Sequence, residues 1–334
     1  MRLLVLTNNP DRASFRQRVS VYQDILADQG IQAEVAVLPK GIWARRKLFR
    51  QARHFGGVFV HKKKLNLFDA FELRRHSRRI IYSFDDAVML NPARPDSVSR
   101  AHFVPFRRTV RLADLVIVGS NYLAEKARPF NANVQILPIG LDTRDYDVKE
   151  APSKNGLIRL VWIGSKSTLS YLRLLDPVLD RLAARFTQVA IRVIGDEFPQ
   201  AGRMSVETIP WSPQARRSGL ATADIGLAPL PDDPFTRGKC SFKVLEYSAS
   251  GLPVVASPVG TNAEYVLDGT TGYLARQEHE WFDRVARLVE DGDLRARMGR
   301  AGREHAMKFD VKAVGVRFAS LLAACLRGGP SDGS

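Results

Sequence analysis

The stretch SFKVLEYSASGLPVVASPVGTNAEYVLDGTTGYLA, residues 241–275, carries the clearest structural pattern in the chain. Ser241 is a favoured N-cap residue type, and the apolar spacing after it predicts a helix that ends at Gly251. The apolar run PVVASPV then predicts a buried strand. This strand ends at Gly260, where glycine allows a tight turn into a second helix starting near Thr261. Helix, strand, turn and helix in this order are typical of α/β folds.

Short apolar runs alternate with amphipathic stretches on both sides of this segment, which predicts strands separated by helices and hence parallel sheets. The strands predicted before it are LLVLT (3–7), AEVAVL (33–38), GVFV (57–60), RIIYSF (79–84), DLVIVGS (114–120), VQILPI (134–139), LIRLVWIG (157–164), VAIRVIG (189–195), VETIPW (206–211) and IGLAPL (225–230). After it, residues 278–326 have a helical pattern with breaks near Gly292 and Phe309.

The strand pattern stops once and then restarts, which predicts two domains. The interruption, residues 140–156, is polar and has no apolar period. We therefore predict a Rossmann-like domain over residues 1–145, a linker over 146–156 and a second Rossmann-like domain over 157–308. A length of 334 residues also fits two domains of roughly 150 residues each.

Ligands of open parallel sheets bind beyond the carboxyl ends of the strands, so residues directly after strands are candidates for chemistry. Arg16 and Arg18 follow the first strand, His61 follows the third, and Asp85 and Asp86 follow the fourth. We expect contacts of these residues with an acceptor or a phosphate, and Asp86 is also a candidate catalytic residue. Each has a plain alternative interpretation as a surface or capping residue.

The two predicted helix starts in residues 241–275 each offer backbone N–H groups and a partial positive charge, which suits a phosphate. Arg237, Lys239 and Lys243 surround the first start, where a cation is electrostatically unfavourable without an anion. In the alternative interpretation Lys243 pairs with Glu246 on a solvated surface, an interaction of about 0.2–0.5 kcal/mol. The sequence favours an anion site.

The same segment resembles the nucleotide-sugar signature of retaining GT-B glycosyltransferases of the family 4 type. The matching residues are Lys243, Glu246, Ala249, Gly251, Pro253-Val254-Val255, Glu264 and Gly269-Thr270-Thr271-Gly272. The resemblance implies an α/β chain of GT-B fold, with two doubly wound, parallel-sheet, Rossmann-like domains facing a cleft. It also implies that residues 309–334 form a helix returning to the first domain, and a tail.

The resemblance implies residue roles as well. Glu246 would bind the ribose hydroxyls, and Lys243, with Arg237 or Lys239, would bind the diphosphate and stabilise its charge as it leaves. The other implied nucleotide-sugar contacts are Gly164, Ser165, Thr168, Gly260, Thr261 and Asn262. At one position the chain departs from the pattern: Gly238 stands where many members carry a Glu that contacts the donor sugar, so no donor sugar is predicted.

The implied activity is transfer of a sugar from a nucleoside diphosphate sugar to a glycan or lipid-linked acceptor hydroxyl, with retention. The resemblance also implies a role in the synthesis of cell-surface polysaccharide or glycolipid. We expect no cofactor and no metal, since enzymes of this type generally need none. One alternative is a sugar-nucleotide epimerase of the same fold, and another is a non-catalytic protein that binds a membrane or nucleic acid.

The charge of the chain is strongly positive, at +15, and much of it is local. Residues 40–79 hold thirteen Lys and Arg against two acidic residues, which favours an anionic membrane surface as partner. Within them, residues 42–55 predict a basic helix that places Trp43, Leu48 and Phe49 beside cations. No known nucleic-acid module is evident, so we expect no nucleic-acid partner. Two cysteines and the lack of a long apolar run predict a cytoplasmic protein, peripheral on the inner face of the membrane.

Overall fold

The computed structural model describes residues 1–97, 99–148, 156–195 and 202–328. Its strands are β1 (Arg2–Thr7), β2 (Gln32–Val37), β3 (Gly57–His61), β4 (Ile80–Phe84), β5 (Leu115–Val118), β6 (Val134–Ile136), β7 (Ile158–Ile163), β8 (Val189–Ile194), β9 (Ser205–Ile209), β10 (Ile225–Ala228), β11 (Val254–Ala256) and β12 (Gly272–Leu274). They form two six-stranded sheets, with orders β2-β1-β3-β4-β5-β6 and β12-β11-β10-β7-β8-β9. All paired strands in both sheets are parallel, which confirms the predicted fold class.

The α-helices of the described residues connect these strands and cover the sheets. They are α1 (Ala13–Arg18), α2 (Gln23–Asp28), α3 (Ile42–Gln51), α4 (Leu67–His76), α5 (Arg100–Leu112), α6 (Asn121–Ala127), α7 (Leu169–Leu172), α8 (Asp176–Arg185), α9 (Pro213–Ala221), α10 (Phe242–Ala249), α11 (Asn262–Tyr265), α12 (Glu278–Glu290), α13 (Gly292–Ala306) and α14 (Val311–Arg327). None of them is both long enough and apolar enough to span a bilayer.

Strand β7 shows why the runs in the sequence are continuously apolar. Leu160 and Trp162 pack into one buried cluster, with residues of α8 and α12. Val161 and Ile163 pack into a different cluster, with residues of α10. Successive side chains of a strand point to opposite faces, so the second sheet is covered by helices on both faces. A strand in that position has no polar face, and its sequence cannot alternate.

Contacts group the chain into two compact units, which differ in detail from the predicted domains. The first contains residues 1–140, Asp233–Cys240 and 311–328, and the second contains Leu141–Asp232 and Ser241–Asp310. The division after residue 140 therefore precedes the boundary expected at residue 145. Most of the expected linker, residues 149–155, lies outside the described residues.

The last helix, α14, packs on the first sheet. Its residues Val314, Phe318 and Leu322 are buried with strand residues of β1, β3 and β5. The Phe318 ring meets the rings of Tyr22 and Phe59 edge-on, at centroid distances of 5.5 and 5.7 Å. The apolar stripe of α14 thus completes the core of the first unit.

The segment Asp233–Cys240 belongs to the first unit, whereas the sequence placed Arg237 and Lys239 in the second domain. Cys240 Sγ donates to the carbonyl of Asp85 at 3.1 Å, and the Tyr122 hydroxyl donates to the carbonyl of Pro234 at 2.9 Å. These contacts join residues that are far apart in the sequence, so no local sequence pattern predicts them. They hold Arg237 and Lys239 beside the first sheet.

Gly238 is closely packed in this segment. A Cβ atom on it would lie 2.8 Å from Cβ and 2.9 Å from the backbone nitrogen of Ala87. Such distances are too short for any side chain without movement of the backbone. Residue 238 is therefore a glycine, in place of the Glu of the family pattern, at a position where the packing leaves no room for a side chain.

Candidate functional site

The loop after β7 packs closely on a buried tryptophan. A Cβ atom on Gly164 would lie 2.4 Å from the Trp162 ring and 2.8 Å from Oγ1 of Thr168. Thr168 Oγ1 donates to the carbonyl of Ser165 at 3.0 Å, which closes the loop. The loop after β8 is equally close, since a Cβ atom on Gly195 would lie 2.2 Å from the Gly164 carbonyl oxygen. Glycine is required here because backbone and ring approach within contact distance.

Gly164→Ala is expected to lower the free energy of unfolding by about 1–3 kcal/mol, because the new methyl group must displace the Trp162 ring or the loop. Urea denaturation measures this change. Gly292→Ala is the matched control in the same unit, since its Cβ would meet nothing nearer than 3.5 Å. An unfolding midpoint for Gly164→Ala equal to that of the control would contradict this account of the loop.

Lys243 lies against the same tryptophan. Its Nζ is 4.4 Å from the centroid of the Trp162 ring, a cation–π contact. Thus Trp162 joins two regions predicted to contact the donor, the loop of Gly164 and the start of α10. A cation in the first turn of a helix is electrostatically unfavourable, and an anion bound there would make its position favourable.

The backbone at the start of α10 is strained. Ser241 has φ +41° and ψ +41°, in the left-handed region that residues other than glycine seldom occupy. Its side chain makes no capping hydrogen bond, so the prediction that it caps the helix is wrong for the side chain. Backbone strain of this kind is frequent at ligand-binding sites.

Glu246 lies one turn further along α10 and is only 6% exposed. Its Oε1 accepts a hydrogen bond from the Tyr146 hydroxyl at 3.1 Å and lies 3.6 Å from Nη1 of Arg216. The Arg216 guanidinium stacks on the Tyr146 ring at 4.7 Å and reaches the Asp145 carboxylate at 3.6 Å. The residue predicted to bind ribose is therefore a buried carboxylate with a hydroxyl and a cation beside it.

Burial raises the pKa of Glu246 from 4.5 to about 7, although Arg216, the Tyr146 hydrogen bond and Lys243 oppose the rise. A carboxylate in water would be fully ionised at neutral pH. Here the proton is held with half occupancy near pH 7. Hydrogen bonds donated by a diol to the carboxylate would favour the ionised form and release that proton.

Tyr247, the neighbour of Glu246, fixes α10 to the sheet. Its hydroxyl accepts from the backbone N–H of Ile163 at 2.9 Å and donates to the carbonyl of Leu227 at 3.3 Å. A Cβ atom on Gly226 would lie 2.5 Å from the Tyr247 ring, so the ring can cross the sheet only at a glycine. This anchoring sets the rotation of α10 and with it the direction of Glu246.

The turn of Gly260, Thr261 and Asn262 lies at the carboxyl ends of β10 and β11. Asn262 Nδ2 donates to the carbonyls of Ala228 at 3.0 Å and Ser257 at 3.1 Å, and its backbone N–H donates to the carbonyl of Val259 at 3.2 Å. Gly260 has φ +55°, as the predicted tight turn requires. The amide groups of Asn262 thus fasten two strand ends, and a donor contact by this residue stays a prediction.

At the corresponding edge of the first sheet, two carboxylates meet a lysine. Lys62 Nζ lies 2.9 Å from Asp85 Oδ1 and 2.5 Å from Asp86 Oδ2. Burial opposes the charge of Lys62, but the two carboxylates outweigh it and raise the pKa of the lysine. Lys62 also has φ +55°, so its backbone is held in an unfavourable conformation. The predicted pair Asp85 and Asp86 is therefore an ion-paired cluster.

The other predicted residues of the first unit have different environments. His61 is buried edge-on against Phe15, and burial together with the cations Lys62 and Arg18 lowers its pKa to about 3. It is therefore neutral at pH 7 and poorly matched to acid–base catalysis near neutrality. Arg18 is buried and donates to the carbonyl of Leu137 at 2.6 Å, which indicates a structural role. Arg16 is exposed and donates to the carbonyl of Asp11.

Comparison with known protein families gives a match within the second unit. Residues 158–291 match the family model described as glycosyl transferases group 1. The match covers 134 of the 334 residues, so the likeness to this family concerns residues 158–291, here called the group 1 segment. This stretch contains the loop of Gly164, the lysine and glutamate of α10, and the turn at Gly260.

The relatives by sequence match a limited part of the chain. The D-inositol 3-phosphate glycosyltransferase of Corynebacterium glutamicum (strain R) is 34% identical over 114 residues, which are 34% of this chain and 26% of that protein. The chain thus matches about a quarter of the length of this relative. The similarity concerns one region and does not extend to the whole protein.

Two solved structures resemble the whole fold. Anabaena HepE in complex with UDP and glucose has a TM-score of 0.72 at 17% identity, covering 97% of this chain and all of the other. WaaG, a glycosyltransferase involved in lipopolysaccharide biosynthesis, has a TM-score of 0.69 at 15% identity, covering 98% of this chain and all of the other. At these identities the likeness establishes the fold, which is GT-B.

The group 1 segment includes glycines whose role is structural. Gly269 has φ +75°, and it turns the chain into β12. A Cβ atom on Gly272 would lie 2.0 Å from the carbonyl oxygen of Val254, on the neighbouring strand β11. This Gly-x-x-Gly therefore closes the edge of the second sheet, where β12 was not predicted from the sequence.

Four side chains of the candidate sites were not singled out by the sequence. Trp162 lies within the apolar run of β7, although its position two residues before the glycine that follows the strand could have marked it as a candidate. Lys62 directly follows His61, so the strand-end rule could have found it. Tyr146 and Arg216 come from a loop and from α9, and only the tertiary structure brings them to Glu246.

Proposed function

We propose that the chain transfers a sugar from a nucleoside diphosphate sugar to an acceptor hydroxyl. The observation that carries this proposal is the pair formed by Glu246 and Lys243 on α10 of the group 1 segment. The first is a buried carboxylate whose environment suits a diol, and the second is a cation held at a helix start that suits a diphosphate. Nothing in the fold alone would assign this activity.

The proposed chemistry is departure of a diphosphate from the anomeric carbon, with overall retention. Lys243 and the start of α10 would stabilise the negative charge that develops on the leaving oxygen. Arg237 and Lys239 are proposed to add positive charge, and Asp86 is retained as a candidate catalytic group. We propose transfer without a metal or other cofactor, and the pairing of Asp85 and Asp86 with Lys62 supports this.

The proposed acceptor is a glycan or a lipid-linked glycan, in the synthesis of cell-surface polysaccharide or glycolipid. HepE was solved with UDP and glucose, and this makes a uridine diphosphate sugar the first donor to test. We do not propose inositol phosphate, which the name of the relatives mentions, as the acceptor. The match covers only about a quarter of the length of the first relative, so most of that protein has no counterpart in the comparison. We propose a cytoplasmic location, peripheral to the membrane, and no nucleic-acid partner.

A thermal-shift panel of UDP-, GDP- and ADP-sugars tests the proposal. A nucleotide at 100 times its Kd should add about 2.7 kcal/mol to the free energy of unfolding. For a unit of 150–250 residues this corresponds to a rise in Tm of roughly 5–10 °C. The free nucleosides, which have no phosphate, are the control for binding that does not depend on the diphosphate. If no nucleotide sugar shifts the Tm, the proposed donor site does not exist.

A further inference from the structure

Four large apolar side chains are exposed on two neighbouring helices of the first unit. Ile42 and Trp43, on α3, are 43% and 72% exposed, and Leu67 and Phe71, on α4, are 72% and 61% exposed. The sequence placed Phe49 beside Trp43 on one basic helix, but Phe49 is fully buried. The exposed apolar surface is therefore formed jointly by two helices.

Ion pairs connect α3 and α4, which lie side by side. Arg45 Nε is 2.9 Å from Asp69 Oδ1, and Arg46 Nε is 3.1 Å from Glu72 Oε2. Because α3 connects β2 to β3 and α4 connects β3 to β4 in a parallel sheet, both helices run from the carboxyl edge of the sheet to its amino edge, in the same direction. The four exposed apolar residues occupy the first five positions of these helices and therefore lie towards the same end of the unit.

The same pairs determine the charge of the surface. Asp69 and Glu72 are the two acidic residues between positions 40 and 79, and both are buried and ion-paired with Arg45 and Arg46. The remaining exposed charge in this segment is positive. The exposed cations are Lys40, Lys47, Arg50, Arg53, Arg75 and Arg78.

We propose that Trp43, Leu67 and Phe71 insert into the interface of an anionic lipid bilayer, while the exposed cations contact its phosphate groups. These three residues with Ile42 and the six cations are the docking surface. On each helix exposed cations follow the exposed apolar side chains along the same face: Lys47 stands four residues after Trp43, and Arg75 stands four residues after Phe71. Apolar side chains continued by cations, with both acidic residues buried, suit a bilayer whose hydrocarbon lies beneath anionic headgroups. A protein partner would offer no such continuous plane of negative charge above an apolar layer.

The docking surface lies at the edge of the sheet that carries the acceptor candidates. α3 starts five residues after the end of β2, and α4 starts six residues after the end of β3, so both helices begin at the carboxyl edge. Lys62, Asp85 and Asp86 follow β3 and β4 at that same edge. A bilayer bound there would present a lipid-linked acceptor to them, and this last step rests on the proposed function.

Vesicle co-sedimentation of the full chain tests the docking surface. We expect binding to phosphatidylcholine vesicles containing 30% phosphatidylglycerol, and at least tenfold weaker binding to pure phosphatidylcholine. The combined variant Trp43→Ser, Leu67→Ser, Phe71→Ser should bind the anionic vesicles at least tenfold more weakly than the natural chain. The control variant is Trp211→Ser, Leu174→Ser, Leu267→Ser, which removes exposed apolar residues of the second unit and should bind as the natural chain does.

Three outcomes would overturn the inference. The first is equal anionic-vesicle binding by the triple variant and the natural chain, and the second is equal binding of both vesicle types by the natural chain. The third is a dimer in light scattering that the triple variant dissociates, which would assign the surface to a second copy. The nucleotide-sugar thermal shift of the triple variant should equal that of the natural chain. That shift separates failure of the docking surface from failure of the donor site.

Discussion

Glu246→Gln is expected to weaken nucleotide-sugar binding at pH 8 by about 10–100-fold, because a charged acceptor of hydrogen bonds contributes about 1.5–3 kcal/mol. The amide has one acceptor oxygen where the carboxylate has two, and its NH2 group donates where the second carboxylate oxygen would accept from a ribose hydroxyl. Isothermal titration calorimetry with the best nucleotide sugar of the panel measures the loss. Glu290→Gln, which removes an exposed carboxylate paired with Arg185 in the same unit, should leave the affinity unchanged.

The same substitution is expected to stabilise the fold at pH 8. The pKa of Glu246 is raised to about 7 by burial, so the unfolded chain loses this proton at a lower pH than the folded chain. The native state is therefore progressively destabilised as pH rises from about 4.5 to 7, by up to about 3 kcal/mol. Glutamine removes this penalty. Urea denaturation should show a more stable variant at pH 8 and little difference at pH 4.

The raised pKa also predicts how binding depends on pH. If ribose binds to ionised Glu246, affinity should fall as pH drops below about 7, and protons should be released on binding near that pH. A nucleotide sugar is the proper probe, since its diphosphate carries an ester at each end and does not titrate in this range. In the Glu246→Gln variant this pH dependence should disappear. A variant that binds as tightly as the natural chain would remove Glu246 from the site.

Lys243→Ala is expected to reduce the rate of transfer by about 100–1000-fold, which is the usual effect of deleting one group that stabilises developing negative charge. The loss should appear mainly in kcat, since the charge on the leaving oxygen is greatest in the transition state. Binding of the free nucleoside, which has no phosphate, should change little. Steady-state kinetics and nucleoside titration separate these two effects.

A matched control for this variant is Lys308→Ala, an exposed lysine of the second unit. Circular dichroism should show that the fold of both variants persists, because the ring of Trp162 keeps its buried position without the lysine. Full activity of Lys243→Ala on the natural substrates would refute the assignment of the diphosphate to α10.

Much of the architecture followed from hydrophobic patterning. The predicted strands are all present, and the helix breaks near Gly292 and Phe309 separate α12, α13 and α14. These features are local, since a buried parallel strand must be continuously apolar and a helix must end where its spacing ends. Strand β12 was not predicted, because three residues in a glycine-rich turn carry no period.

Site residues that are close together in the sequence or directly follow a strand could be predicted. Contacts between residues from distant segments could not be predicted. Lys243 and Glu246 are three residues apart on one helix, and their spacing is visible in the sequence. The burial of Glu246, which changes its pKa, depends on Tyr146 and Arg216, and the segment holding Arg237 and Lys239 packs on the first sheet through Cys240.

The stretch from residue 241 to residue 275 determined by itself that a helix, a buried strand and a turn would place a lysine and a glutamate at the edge of a parallel sheet. Periodicity and turn chemistry are short-range properties, and one sequence is enough to read them. The tertiary structure decided that Ser241 is strained, that Lys243 stacks on Trp162 and that Glu246 holds its proton near neutral pH. Each of these depends on how closely distant residues approach, because both burial and charge act through space and not along the chain.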